Sequence, residues 1–149
     1  MRLNVNLGAA PITINLGAAP IIVSAETPER VMEAVAALQL ACNASGIAWR
    51  EEEPRGDVVA RWGPLITLFH ARAMGRQPKD TPILYFVPDE LLTAPEHTTL
   101  LTDLVNAAKN ANATIVYTTT QGPKFLPDLS LGAPQQVLHY TDEWTLDRF

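Results

Sequence analysis

Apolar and polar positions alternate with a period of two at the start of the chain. Leu3, Val5 and Leu7 are separated by Asn4 and Asn6, and Ile12, Ile14 and Leu16 by Thr13 and Asn15. This spacing predicts two half-buried strands, Leu3 to Leu7 and Ile12 to Leu16. Each run closes on Gly-Ala-Ala-Pro, at residues 8–11 and 17–20, where Gly and Pro supply the backbone angles of a reversal. The whole unit Asn6 to Ile12 recurs as Asn15 to Ile21; it is too short for a solenoid and reads as a duplicated turn-forming unit. The expected product is an N-terminal hairpin over residues 1–20 that feeds a third strand, Ile21 to Ser24.

The period then changes. Thr27 is a good N-cap, Pro28 fits the first helical position, and Val31, Val35, Leu38 and Cys42 fall on one helical stripe that ends at Asn43-Ala44-Ser45-Gly46. Ile47 to Trp49 and Val58 to Trp62 read as short strands, or a strand and an irregular return, on either side of a charged loop over Arg50 to Asp57. Gly63-Pro64 opens a helix carrying Leu65, Leu68, Phe69 and Ala73, stopped by Gly75. Ile83 to Val87 is an unbroken apolar run after Pro82, as in a parallel strand covered on both faces, and is expected at the centre of a sheet. A helix with Leu100, Leu101, Leu104, Val105 and Ala108 inward, a strand over Thr114 to Thr118, a Gly/Pro-rich loop over Thr119 to Pro134 and a last strand, Gln136 to Tyr140, follow; Trp144 to Phe149 reads as a polar tail. Alternating strands and helices predict one α/β domain over residues 1–149, with three layers, a mostly parallel central sheet and the hairpin as an antiparallel addition.

Composition narrows the function. With 149 residues, 47% of them apolar and 18% charged, the chain suits one globular core. Eleven basic against 16 acidic residues give a formal net charge of −5, and no run of Lys or Arg forms a phosphate-binding stripe, so direct nucleic-acid binding is not expected. The single Cys42 and the scattered His70, His97 and His139 have neither disulfide nor metal-ligand spacing. No continuous apolar segment follows Met1-Arg2, and nowhere do about 18 apolar residues run together, so neither export nor membrane insertion is expected and the protein reads as cytoplasmic. Trp49, Trp62 and Trp144 read as core residues, or as part of an exposed partner patch, with the core reading favoured.

In open α/β sheets, ligands bind beyond the carboxyl ends of the strands. The loops to inspect are therefore Ser24-Ala25-Glu26-Thr27-Pro28-Glu29-Arg30-Val31, Pro88-Asp89-Glu90 and Thr119-Thr120-Gln121-Gly122-Pro123. In this order they resemble the RecA-like core of FtsK/HerA-type DNA translocases and conjugative coupling ATPases. Asn15 to Ala25 resembles the lead-in and strand before that family's P-loop, Ile83 to Val87 with Asp89-Glu90 its Walker B strand and acidic pair, and Ile115 to Pro123 its strand ending in Thr-Gln-x-Pro. Gln136 to Tyr140 falls where the family has its next strand. The resemblance implies a P-loop type fold, a nucleotide site formed by Thr27, Arg30, Asp89, Glu90 and Gln121, and assembly with a hexameric motor or with copies of the chain.

The same segments depart from the pattern. A P-loop needs glycines so that consecutive N–H groups wrap a phosphate, a Lys for the β- and γ-phosphates and a Ser or Thr for Mg²⁺. Here Arg30 stands at the lysine position and Val31 at the hydroxyl position, Pro28 and Glu29 replace small residues, and Pro88 moves the acidic pair one residue from the strand end. Thr27-Pro28-Glu29 equally reads as an ordinary helix start, Asp89-Glu90 as an N-cap with a first-turn acid, and Gln121-Gly122-Pro123 as a turn. The expectation is therefore no catalytic residue, no metal, no cofactor, with ATP and Mg²⁺ disfavoured, and no ATP hydrolysis by this chain alone. The leading reading is a catalytically inactive RecA-like module that binds protein and adapts or inhibits a DNA-translocating motor of a plasmid or phage. The alternatives are a weak nucleotide-binding protein and a self-assembling coat or filament component that adds strands through its hairpin.

Overall fold

A computed structural model of the chain describes residues 2–8, 10–16, 20–51, 58–76, 83–87, 98–120 and 136–148. The elements in chain order are β1 (Arg2–Leu7), β2 (Ala10–Asn15), β3 (Ile21–Ser24), α1 (Pro28–Ala44), β4 (Ala48–Glu51), α2 (Val58–Ala71), β5 (Ile83–Val87), α3 (Thr98–Asn110), β6 (Ala113–Thr119), β7 (Gln136–Tyr140) and β8 (Trp144–Arg148). A wider helical turn over Arg72–Arg76 extends α2 and contains Gly75, whose φ of 83° is non-helical and one an L side chain rarely adopts.

Six strands form one sheet in the order β4-β5-β6-β3-β7-β8, parallel except for the antiparallel β7-β8 pair, while β1 and β2 form a separate antiparallel hairpin. Successive residues of a strand face opposite sides, and the two sides are filled by different helices. Ile21, Val23, Leu84, Phe86, Val116 and Leu138 pack against α1 and the hairpin through Val31, Val35, Leu38, Leu3, Val5 and Ile14. Ile22, Ile115, Tyr117 and Val137 pack on the other side against Leu65 and Phe69 of α2 and Leu104 and Val105 of α3. Each such fully buried side chain contributes roughly 1.5–3 kcal/mol, which is why the hairpin occupies a helix's place beside α1 with its Asn and Thr side turned outward.

The ends of α1 follow from its sequence. Thr27 is extended (φ −123°, ψ 147°) and its Oγ1 accepts the Arg30 N–H at 3.3 Å. At the other end Gly46 takes φ +70°, and the N–H groups of Ile47 and Gly46 donate to the carbonyls of Cys42 (2.9 Å) and Asn43 (3.4 Å), the paired bonds of a Schellman cap.

Three local expectations are corrected. Val58 to Trp62 is neither strand nor irregular return but the opening of α2, which carries Pro64 inside it. Val58, Trp62, Leu65 and Phe69 share one helical spacing, and Thr67 Oγ1 donates to the Gly63 carbonyl at 3.2 Å next to the proline. β5 is interior but not central: the crossover through α1 carries the chain to the sheet edge at β4, and β5 and β6 step back until β6 meets β3, leaving β6 and β3 in the middle. The supposed polar tail is the edge strand β8, in register from Tyr140↔Trp144 to Gln136↔Arg148, with Trp144 and Leu146 turned toward the hairpin side of the core. An antiparallel edge strand needs only one apolar face, so Asp147 and Arg148 do not forbid it.

Candidate functional site

The first sequence-predicted site lies where β3 passes into α1. Only Ala25, Glu26 and Thr27 separate Ser24, the last residue of β3, from Pro28, the first of α1. No residue of this connection has a positive φ, so the backbone does not make the wrapped turn in which successive N–H groups converge on a phosphate. The first intrahelical bond runs from the Val31 N–H to the Thr27 carbonyl at 3.2 Å, leaving three earlier positions to serve a ligand. Pro28 has no N–H, the Arg30 N–H is taken by Thr27 Oγ1, and the position between them is Glu29, whose carboxylate opposes an anion.

Arg30 is also engaged. Its Nη1 lies 2.9 Å from Glu33 Oε2, with both side chains about half exposed, and its guanidinium carbon sits 4.4 Å from the centroid of the Tyr140 ring. The ion pair follows from i,i+3 spacing on α1. The ring contact follows from topology, because β7 lies beside β3 and ends level with the start of the connection that leads into α1. Tyr140 in turn packs against Trp144 across the β7–β8 turn, with ring centroids 5.4 Å apart.

These groups wall a cleft of about 380 Å³ at the carboxyl end of β7. The hairpin turn supplies Leu7, Gly8, Pro11 and Ile12, α1 supplies Arg30 and Glu33, and the β7–β8 turn supplies Tyr140, Asp142, Glu143 and Trp144. Among the described lining residues one cation faces three carboxylates, a balance that repels phosphate and suits a cationic or amide-bearing partner. Trp144 is nine-tenths buried, and its Nε1–H has no hydrogen-bond partner among the described residues.

Of the sequence-predicted site residues, the structure brings Thr27 and Arg30 together; Asp89, Glu90 and Gln121 lie outside the described residues, as does His97. His70 is exposed on α2, and His139 Nε2 lies 3.0 Å from Thr145 Oγ1 between β7 and β8. Among the described residues, no group of three or more His, Cys, Asp or Glu is placed to hold a metal ion, and no helix is long and apolar enough to cross a membrane. Glu33, Tyr140, Asp142, Glu143 and Trp144 were not legible as site residues. The Arg30–Glu33 spacing was the one local signal, since the others reach the cleft only through the pairing of β7 with β3 and β8.

No protein-family model and no curated protein matches the sequence. Solved structures do match by shape. The cytoplasmic domain of the Thermomonospora curvata type VII secretion ATPase EccC aligns over 95% of this chain with a TM-score of 0.52 and 11% identity. Thermomonospora curvata EccC (ATPases 2 and 3) in complex with a signal sequence peptide aligns over 92% of it, with a TM-score of 0.50 and 10% identity. The chain spans 22% and 33% of those two chains. At these identities the likeness is one of fold: a mostly parallel α/β sheet of the kind found in P-loop ATPase domains, with an antiparallel hairpin at its start.

Proposed function

We propose that this chain is a catalytically silent RecA-like module that acts by binding protein, docking on a DNA-translocating motor or on a copy of itself and so adapting or inhibiting the machine. The observation that carries this reading is the three-residue connection between β3 and α1, closed by the Thr27 cap where a nucleotide-binding relative needs an open phosphate cradle. The acidic, aromatic-walled cleft beside it is the surface offered to the partner, with Arg30 held by Glu33 and Tyr140 instead of reaching for phosphate. Likeness to EccC, a secretion ATPase solved with a signal sequence peptide, favours a role beside a motor that handles polymers.

The test is a calorimetric and thermal-shift titration of the chain with ATP, ADP and Mg²⁺, beside Arg30→Ala. That variant removes an exposed ion pair worth about 1 kcal/mol or less, so it folds. The expected result is no heat and no stabilisation at millimolar nucleotide in either protein. Saturable binding lost in Arg30→Ala overturns the reading and makes the chain a nucleotide-binding protein, because a ligand that binds only the native state raises its stability.

A further inference from the structure

We infer that the cleft at the carboxyl end of β7 receives an arginine side chain carried on a peptide segment of the protein partner. The inference rests on the protein-binding reading above and adds the chemistry that the cleft selects.

Two carboxylates carry most of the argument. The β7–β8 turn is only Thr141, Asp142 and Glu143, closed by the pairing of Tyr140 with Trp144 and by the Thr141 N–H, which donates to the Glu143 carbonyl at 3.3 Å. Asp142 and Glu143 both line the cleft, and both are exposed. Among the described residues neither carboxylate has a hydrogen-bond or ion-pair partner. Neighbouring like charges repel each other, so a cation brought to this turn relieves repulsion as well as gaining attraction.

The cleft already holds one guanidinium of its own. Arg30 lies 2.9 Å from Glu33 and 4.4 Å from the centroid of the Tyr140 ring, and Glu33 offsets its charge. The turn carboxylates are therefore left to an incoming group. Arginine suits them better than lysine, because its planar fork bonds a carboxylate through two N–H groups and is more weakly hydrated. Its methylene stem has an apolar wall to lie on, since the hairpin turn contributes Leu7, Pro11 and Ile12.

Trp144 links that side chain to a peptide. It lines the cleft, and its Nε1–H is a donor without a partner among the described residues. A guanidinium has no acceptor to offer this donor, whereas the carbonyl of a peptide group beside the arginine does. A peptide segment thus supplies both complements at once, the cation for Asp142 and Glu143 and the acceptor for Trp144.

The probe is the capped tripeptide acetyl-Leu-Arg-Leu-amide, compared with the same peptide carrying uncharged citrulline, in titrations of the full chain at low salt followed by NMR. Saturable shifts are expected at the amides of Ile12, Tyr140, Asp142 and Glu143 and at the Trp144 indole N–H. Affinity should fall about tenfold or more for the citrulline peptide and for the double variant Asp142→Asn, Glu143→Gln. Both residues are exposed, so the double variant should keep its melting temperature and separate lost binding from lost folding. Three results overturn the site: no saturation by about 20 mM, a double variant that binds as well as the parent, or equal binding of the citrulline peptide, which would make the occupant an uncharged segment. The nucleotide titration above, run on the same samples, judges the protein-binding reading separately. Nucleotide binding overturns that reading, whereas any of these three results without it overturns the arginine site alone.

Discussion

The side-chain amide of Gln136 holds the backbone of Asn15 at both polar groups: Nε2 donates to the Asn15 carbonyl at 2.6 Å, and Oε1 accepts the Asn15 N–H at 2.9 Å. A side chain at the first position of β7 thus replaces one rung of a strand ladder and clips the hairpin to the sheet. Gln136→Ala leaves both Asn15 groups without these partners and should cost about 1–3 kcal/mol in urea unfolding, with faster hydrogen exchange at Asn15. Unchanged protection of that amide would show that hydrophobic packing alone seats the hairpin.

Gly46 ends α1 at φ +70°, and no atom lies within 4 Å of where a Cβ would stand. Strain is then the whole cost of adding one. Gly46→Ala should lose about 1 kcal/mol, and Gly46→Asn distinctly less, because asparagine tolerates the left-handed region. Melting temperatures of the two variants, differing by a few degrees, check the order.

Tyr117 is 1% exposed, and its hydroxyl is a buried donor without a partner among the described residues. Burial raises its pKa well above the ordinary phenol value. Tyr117→Phe keeps the ring and removes the unsatisfied group, so stability should be unchanged or higher by up to about 1 kcal/mol. Tyr117→Ala, which empties the site, should cost about 3–5 kcal/mol. A clear loss in the phenylalanine variant would mean the hydroxyl is satisfied in solution.

Cys42 faces the core from α1, and burial pushes its thiol up to about 11 from 9.0. The raised group favours the folded state fully below pH 9, and that contribution is lost as pH climbs from 9 through 11, where the unfolded thiol ionises and the folded one resists. Two pKa units correspond to about 2.7 kcal/mol at most. Cys42→Ala, with Tyr117 still present, should therefore show a shallower fall in stability between pH 8.5 and 11 than the parent, and the parent thiol should react slowly with Ellman's reagent at pH 8 until unfolded. Equal slopes would remove Cys42 from the alkaline transition.

Most of the architecture was legible in the sequence because the signals were local. Alternating Leu3, Val5 and Leu7 fixed the side of β1 that is buried, Thr27-Pro28 fixed the start of α1, and the apolar run from Ile83 to Val87 fixed β5. The failures came where a local signal has two meanings. Pro64 is favoured at a first helical turn and was read as one, although α2 had begun six residues earlier. Trp144 and Leu146 alternate as a strand should, yet Asp142, Glu143 and Asp147 around them read as a solvated tail. The cleft was the least legible part. Arg30 meets Tyr140 only because β7 inserts beside β3, a pairing between residues over a hundred positions apart that no local pattern encodes.

That insertion has a consequence for how the chain acquires its shape. β3 has no sheet neighbour close in sequence: Ile21 pairs with Val116 on one side and Gln136 on the other. During synthesis the Ile21-Ile22-Val23 segment must wait for two distant partners, and each closure of so long a loop carries an entropic cost before any contact offsets it. Folding should be slow for a chain of this length. Until β6 and β7 are made, β3 is an unpaired apolar edge, the segment most exposed to aggregation or to a chaperone.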